Sequence, residues 1–171
     1  MGEAILVTGA PGCGKTTLIR LVIDRLPGSK GGFFTQEIRQ GGVRKGFELV
    51  TLDGQHGILA HEELKSKMRV GKYGVNLSTL DKLAVDAIQR AISEGGIVVI
   101  DEIGPMEILS AGFRQVVLEA LESSAIVLGA IVRRSIPFTD GIKRHKLVTL
   151  IEVRPDNRDQ LPDQILAMLS H

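Results

Sequence analysis

Gly9-Ala10-Pro11-Gly12-Cys13-Gly14-Lys15-Thr16 reads G-x-x-x-x-G-K-T, the spacing of a phosphate-binding loop. This stretch decides the fold because it prescribes its own flanks: a strand must lead in and a helix must lead out. Ala4-Ile5-Leu6-Val7-Thr8 is a short apolar run that suits a buried parallel strand. Downstream, Leu18, Leu21, Val22 and Leu26 recur at helical spacing, and Pro27-Gly28 supplies a stop. With 20 glycines in 171 residues, a chance match has a probability on the order of one per cent. The flanks reduce it further.

The chemistry follows from the spacing. Backbone N–H groups at a helix N-terminus attract a polyphosphate, and glycines let the chain approach its oxygens where a Cβ would collide. Lys15 is placed to reach the β- and γ-phosphates as a point charge and Thr16 to ligate Mg²⁺, and Thr17 is counted with the nucleotide-binding run. Cys13 lies inside the loop and reads as a small side chain that fits a tight turn.

Working outward, Gly31 to Arg39 and Lys45 to Leu52 are β-rich runs around a glycine turn, which predicts a hairpin. His56 to Ala60 and Met68 to Leu77 add further strand candidates, joined by a Lys-rich link. Ser78 reads as an N-cap for a helix whose apolar stripe is Leu80, Leu83, Ala84, Ala87, Ile88, Ala91 and Ile92, ending at Gly95-Gly96. Ile97 to Ile100 is an apolar strand leading into Asp101-Glu102. Ser110 to Leu121 predicts a helix, Ala125 to Val132 and Leu147 to Val153 two more strands, and Asn157 the cap of a last helix crowded by Pro162. The expectation is one α/β domain over residues 1–171. Its central sheet is mostly parallel, RecA-like and flanked by helices, with an antiparallel β excursion after the first helix.

Ligands in such sheets bind at the carboxyl ends of the strands, where the loop and Asp101-Glu102 both sit. Asp101 is the expected Mg²⁺ residue, acting with Thr16, because Mg²⁺ keeps part of its water shell and takes few protein oxygens. Glu102 can take a proton from a water aimed at the γ-phosphorus, which a hydrolase requires. Charge developing on the γ-phosphoryl group calls for a further cation. Arg133 and Arg134, just past a strand end, are the first candidates, with Arg39 and Arg144 as alternatives.

Gly9–Thr16, Gly32-Phe33-Phe34-Thr35-Gln36-Glu37-Ile38-Arg39, Tyr73-Gly74-Val75-Asn76-Leu77 and Asp101-Glu102-Ile103-Gly104-Pro105-Met106-Glu107 occur in that order. Together they resemble the cancer-related nucleoside-triphosphatase family over nearly the whole chain. The resemblance implies slow Mg²⁺-dependent hydrolysis of ATP, GTP and other nucleoside triphosphates. It also implies that Glu102 activates water and that Ile103, Gly104, Pro105 and Met106 line the nucleotide site. Pro105 stands where other members carry Lys or another residue.

Composition narrows the alternatives. Lys+Arg 21 against Asp+Glu 20 leaves a formal charge of +1, with no overall footprint for nucleic acid or an anionic membrane. Five Phe, one Tyr and no Trp supply no stacking platform for a single strand. Met1-Gly2-Glu3 opens straight into the first strand without a secretory signal, no run reaches membrane-span length, and one cysteine excludes an internal disulfide. A cytoplasmic monomer is expected. His56, His61, His145 and His171 show no metal-ligand spacing. Two rivals stay open. One is a small-molecule kinase using Lys65, Lys67, Arg69 and Lys72 on a closing lid. The other is a nucleotide-dependent switch module acting on a protein or RNA; a GTPase switch is disfavoured, because no N-K-x-D guanine-reading segment is present.

Overall fold

A computed structural model describes residues 2–169; Met1, Ser170 and His171, the last of the four histidines, lie outside the described residues. β1 (Ala4–Thr8) runs into the glycine loop, and α1 (Lys15–Asp24) leaves it. β2 (Lys30–Gln40) and β3 (Val43–Thr51) form the expected hairpin; φ values of 58° at Gly41 and 77° at Gly42 suit the tight turn between them. β4 (His56–His61), β5 (Arg69–Val70) and β6 (Tyr73–Val75) complete the antiparallel excursion. A helical run follows as α2 (Leu77–Thr79), a π-helical turn (Leu80–Ala84) and α3 (Val85–Ser93). Then come β7 (Ile97–Ile103), a 3₁₀ turn (Glu107–Leu109), α4 (Ala111–Glu122), β8 (Ile126–Ile131), α5 (Pro137–Lys143), β9 (Val148–Glu152) and α6 (Leu161–Leu169).

The strands make one sheet in the order β5-β6-β4-β3-β2-β7-β8-β1-β9. β2-β7-β8-β1-β9 pair in parallel, and the pairs from β2 outward to β5 are antiparallel. β2 therefore joins two kinds of sheet. β8 lies between β7 and β1, so the loop after β8 opens between Asp101 and the phosphate loop.

Period-two alternation accounts for the two-sided core. On β1, Ala4 and Leu6 face one apolar cluster with Phe33, Ile88 and Phe113. Ile5 and Val7 face the other, with Leu18, Ile19, Val22 and Ile165. Phe33 and Phe113 meet edge to face, with centroids 6.0 Å apart.

Several local expectations need correction. Leu21 is 49 % exposed; Ile19 and Ile23 complete the buried stripe of α1 instead, because the inward face is set by which residues meet the sheet. Asn76 rather than Ser78 caps the helical run: its Oδ1 accepts the Thr79 N–H at 3.3 Å. Asn157 does not cap α6. Its side chain accepts the Arg154 N–H at 2.8 Å and donates to the Glu152 carbonyl at 2.9 Å, tying the loop after β9. Pro162 is the second residue of α6, where no helical N–H is needed, so it fits. α5 carried no sequence expectation.

Candidate active site

The loop takes its shape from glycine. Gly12 and Gly14 have φ of 77° and 98°, a region other residues adopt at a cost, and Gly14 is the N-cap of α1. Lys15 and Thr16 thus start the helix with their side chains over the ends of β1 and β7. Lys15 Nζ donates to the Gly9 carbonyl at 3.1 Å and lies 3.6 Å from Glu102 Oε2. The Thr16 hydroxyl donates to Asp101 Oδ2 at 2.7 Å. Residues 85 positions apart in sequence meet as the spacing required.

Asp101 is 3 % exposed, and burial pushes its carboxyl up to about 6 despite the Thr16 hydrogen bond. The charges of Lys15 and Arg20 favour the carboxylate by less than burial and the Glu102 charge oppose it, and a hard divalent cation would offset the remainder. Among the described residues no group of three or more His, Cys, Asp and Glu is arranged to hold a metal by itself. That suits an ion held by Thr16 and Asp101 with substrate phosphates and water as its other ligands. Two hard oxygen donors, one opening α1 and one on β7, fit a hard divalent cation.

Glu102 lies half-buried beside Lys15. Behind it stands a carboxyl that residue-type reasoning passed over. Glu107 is 5 % exposed, and burial, then the neighbouring Glu102 charge, pushes it up to about 8. Both carboxyl groups crowd Gly104: a Cβ added there would lie 2.6 Å from Glu102 Oε1 and 3.0 Å from Glu107 Oε1. Ile103, Gly104, Pro105 and Met106, expected to line the nucleotide site, follow Glu102 directly. Ile103 is fully buried and pairs with Ile131, and Met106 is half-buried and packs on the core.

Two clefts flank the loop. One, of about 720 Å³, lies between Gly9, Gly12 and Lys15 on one side and Arg44, Phe47 and Arg134 on the other, with Glu102 on its wall. The second, of about 610 Å³, opens between Pro11, Cys13 and the loop Glu152 to Asp156, and Arg133 borders both. Arg39 is instead at the hairpin end, donating to the Gly42 carbonyl and paired with Glu37, and Arg144 follows α5 on the surface. The Lys-rich link is tied down: Arg69 donates to the Leu64 and Lys72 carbonyls, and Lys72 pairs with Glu62 at 3.5 Å.

Arg44 was missed for a physical reason. Three positions apart on a regular strand, Arg44 and Phe47 point to opposite faces. Arg39 pairs with Arg44 but Ile38 with Gly46, so Lys45 is an extra, bulged residue, and the bulge returns Arg44 and Phe47 to one side.

A parallel-sheet α/β core with a glycine loop entering α1 and a Thr16–Asp101 pair joining the start of α1 to the end of β7 defines a phosphate-loop nucleotide-binding protein. The chain belongs to the NTPase family, whose sequence profile it matches over residues 4–166. It is 46 % identical over 165 residues to nucleoside-triphosphatase THEP1 of Thermotoga maritima, covering 96 % of this chain and 94 % of the relative. The crystal structure of THEP1 from Aquifex aeolicus superposes with a TM-score of 0.90 at 35 % identity, covering 98 % of this chain and 99 % of that one. The solution structure of a human cancer-related nucleoside triphosphatase gives 0.83 at 34 %, covering 99 % and 98 %. The resemblance drawn from the motifs is borne out.

Proposed function

We propose that the protein is an Mg²⁺-dependent nucleoside-triphosphatase that hydrolyses ATP, GTP and other nucleoside triphosphates to diphosphate and phosphate. The observation that carries this reading is Glu102 beside Lys15 at the γ end of the loop, next to the Thr16–Asp101 pair. Lys15 exchanges the Gly9 carbonyl and Glu102 for phosphate oxygens when the triphosphate arrives. That releases the Glu102 carboxylate to orient a water and take its proton as the oxygen attacks the γ-phosphorus. Thr16 and Asp101 would hold Mg²⁺, which neutralises phosphate charge when bound. Arg133 supplies the further cation, since it borders both clefts and so stands beside the path of the triphosphate. The nucleoside takes the cleft along Glu152 to Asp156.

This reading takes the chain as one domain and a cytoplasmic monomer, with every catalytic group supplied by one copy. No described helix is long and apolar enough to cross a membrane. Glu102 favours hydrolysis over the kinase alternative, and the anchored 62–72 segment is no free lid. The test is phosphate release from ATP and GTP with Mg²⁺. Glu102→Ala and Glu102→Gln are expected to lose roughly 10²-fold or more in turnover, the scale of a positioned acid–base group, while still binding nucleotide. Unchanged turnover refutes the assignment of Glu102, and no phosphate release without an added acceptor refutes the hydrolase.

A further inference from the structure

The cleft at the γ end of the loop carries more positive charge than a triphosphate requires. Lys15, Mg²⁺ and backbone N–H groups serve the β- and γ-phosphates, and one further cation serves the developing charge. With Arg133 in that role, Arg44 and Arg134 remain on the same cleft. Lys143 Nζ donates to the backbone carbonyls of Arg133 and Arg134 at 3.0 and 3.5 Å, which fixes their main chain. The Arg134 guanidinium has no carboxylate within ion-pair distance among the described residues.

Arg44 is positioned from several sides. Its Nε donates to Tyr73 Oη at 3.0 Å, and its Nη1 lies 3.5 Å from Glu37. Its guanidinium carbon is 5.1 Å from the centre of the Phe47 ring and 5.8 Å from that of Tyr73. The Phe47 ring, edge to face with Tyr73 at 5.5 Å, borders the cleft itself. Holding the guanidinium in place removes much of the ordering cost that a ligand would otherwise impose.

We propose that Arg44, Phe47 and Arg134 form a second subsite beside the γ-phosphate position, for a phosphate-bearing ligand with a flat apolar portion. The guanidinium groups match phosphate geometry through paired N–H donors, and the Phe47 face receives the flat part. Glu102 on the cleft wall and Glu37 beside Arg44 repel an anion, so the phosphate belongs between the two arginines rather than at the Glu102 carboxylate. The proposal rests on the nucleotide reading above, because the loop is filled first.

The experiment adds phenyl phosphate to the protein saturated with Mg²⁺ and a non-hydrolysable ATP analogue, followed by ³¹P NMR, which resolves both ligands. Phenyl phosphate is expected to bind once, beside the analogue, and roughly tenfold more tightly than inorganic phosphate. Arg44→Ala and Arg134→Ala each weaken it about tenfold, the scale of one charge-assisted contact. Phe47→Leu, which keeps the apolar volume, narrows the preference over inorganic phosphate, and the remote Arg25→Ala does not. Displacement of the analogue, or equal binding by the arginine variants, overturns the subsite while leaving the hydrolase reading intact. Failure of the analogue itself to bind overturns both.

Discussion

Replacing Glu107 by Gln removes one proton from the pH dependence of folding. Burial holds the Glu107 carboxyl neutral in the folded state up to about 8, against an ordinary value of 4.5 in the unfolded chain. The sign follows from this direction. Above 4.5 the unfolded chain releases a proton that the folded protein keeps, so stability falls with rising pH until the folded group also ionises near 8. The slope for one proton is about 1.4 kcal/mol per pH unit. Asp101 contributes similarly only up to about 6, so the window from 6 to 8 isolates Glu107. Over those two units the wild type is expected to lose roughly 2–3 kcal/mol relative to Glu107→Gln. Urea denaturation of both proteins without metal, repeated from pH 5 to 9, measures the difference directly, and other titrating groups cancel in the comparison. Parallel curves between pH 6 and 8 would refute the reasoning, because they would mean that Glu107 is already ionised in the folded protein.

Asp101→Asn is expected to raise the Mg²⁺ concentration giving half-maximal phosphate release by about tenfold, as removal of one charged ligand contact does; a magnesium titration that superposes on the wild type contradicts the metal role. Gly104→Ala places a methyl where Glu102 Oε1 lies 2.6 Å away, so the carboxylate must move. Turnover should fall about tenfold or more, since small displacements of a reacting group are costly, with nucleotide affinity retained; full activity would show that Glu102 works from another position.

The sequence by itself determined the phosphate loop, its flanking strand and helix, the Asp101-Glu102 pair at a strand end and the parallel core. All but the parallel core are local patterns whose geometry needs no distant residue: Lys15 and Thr16 open a helix because Gly14 precedes them, and the core follows from the alternation of strands and helices along the chain. Family motifs added the identity of the fold. What only the tertiary structure decided depends on neighbours remote in sequence. Glu107 reads as an ordinary acid until the strand and the 3₁₀ turn close over it, and only then does burial beside Glu102 change its chemistry. Ile103 follows the half-exposed Glu102, yet it pairs with Ile131 and lies fully buried in the core. Arg44 and Phe47 share the cleft only because one extra residue, Lys45, shifts their register against β2, and register is a property of two strands together.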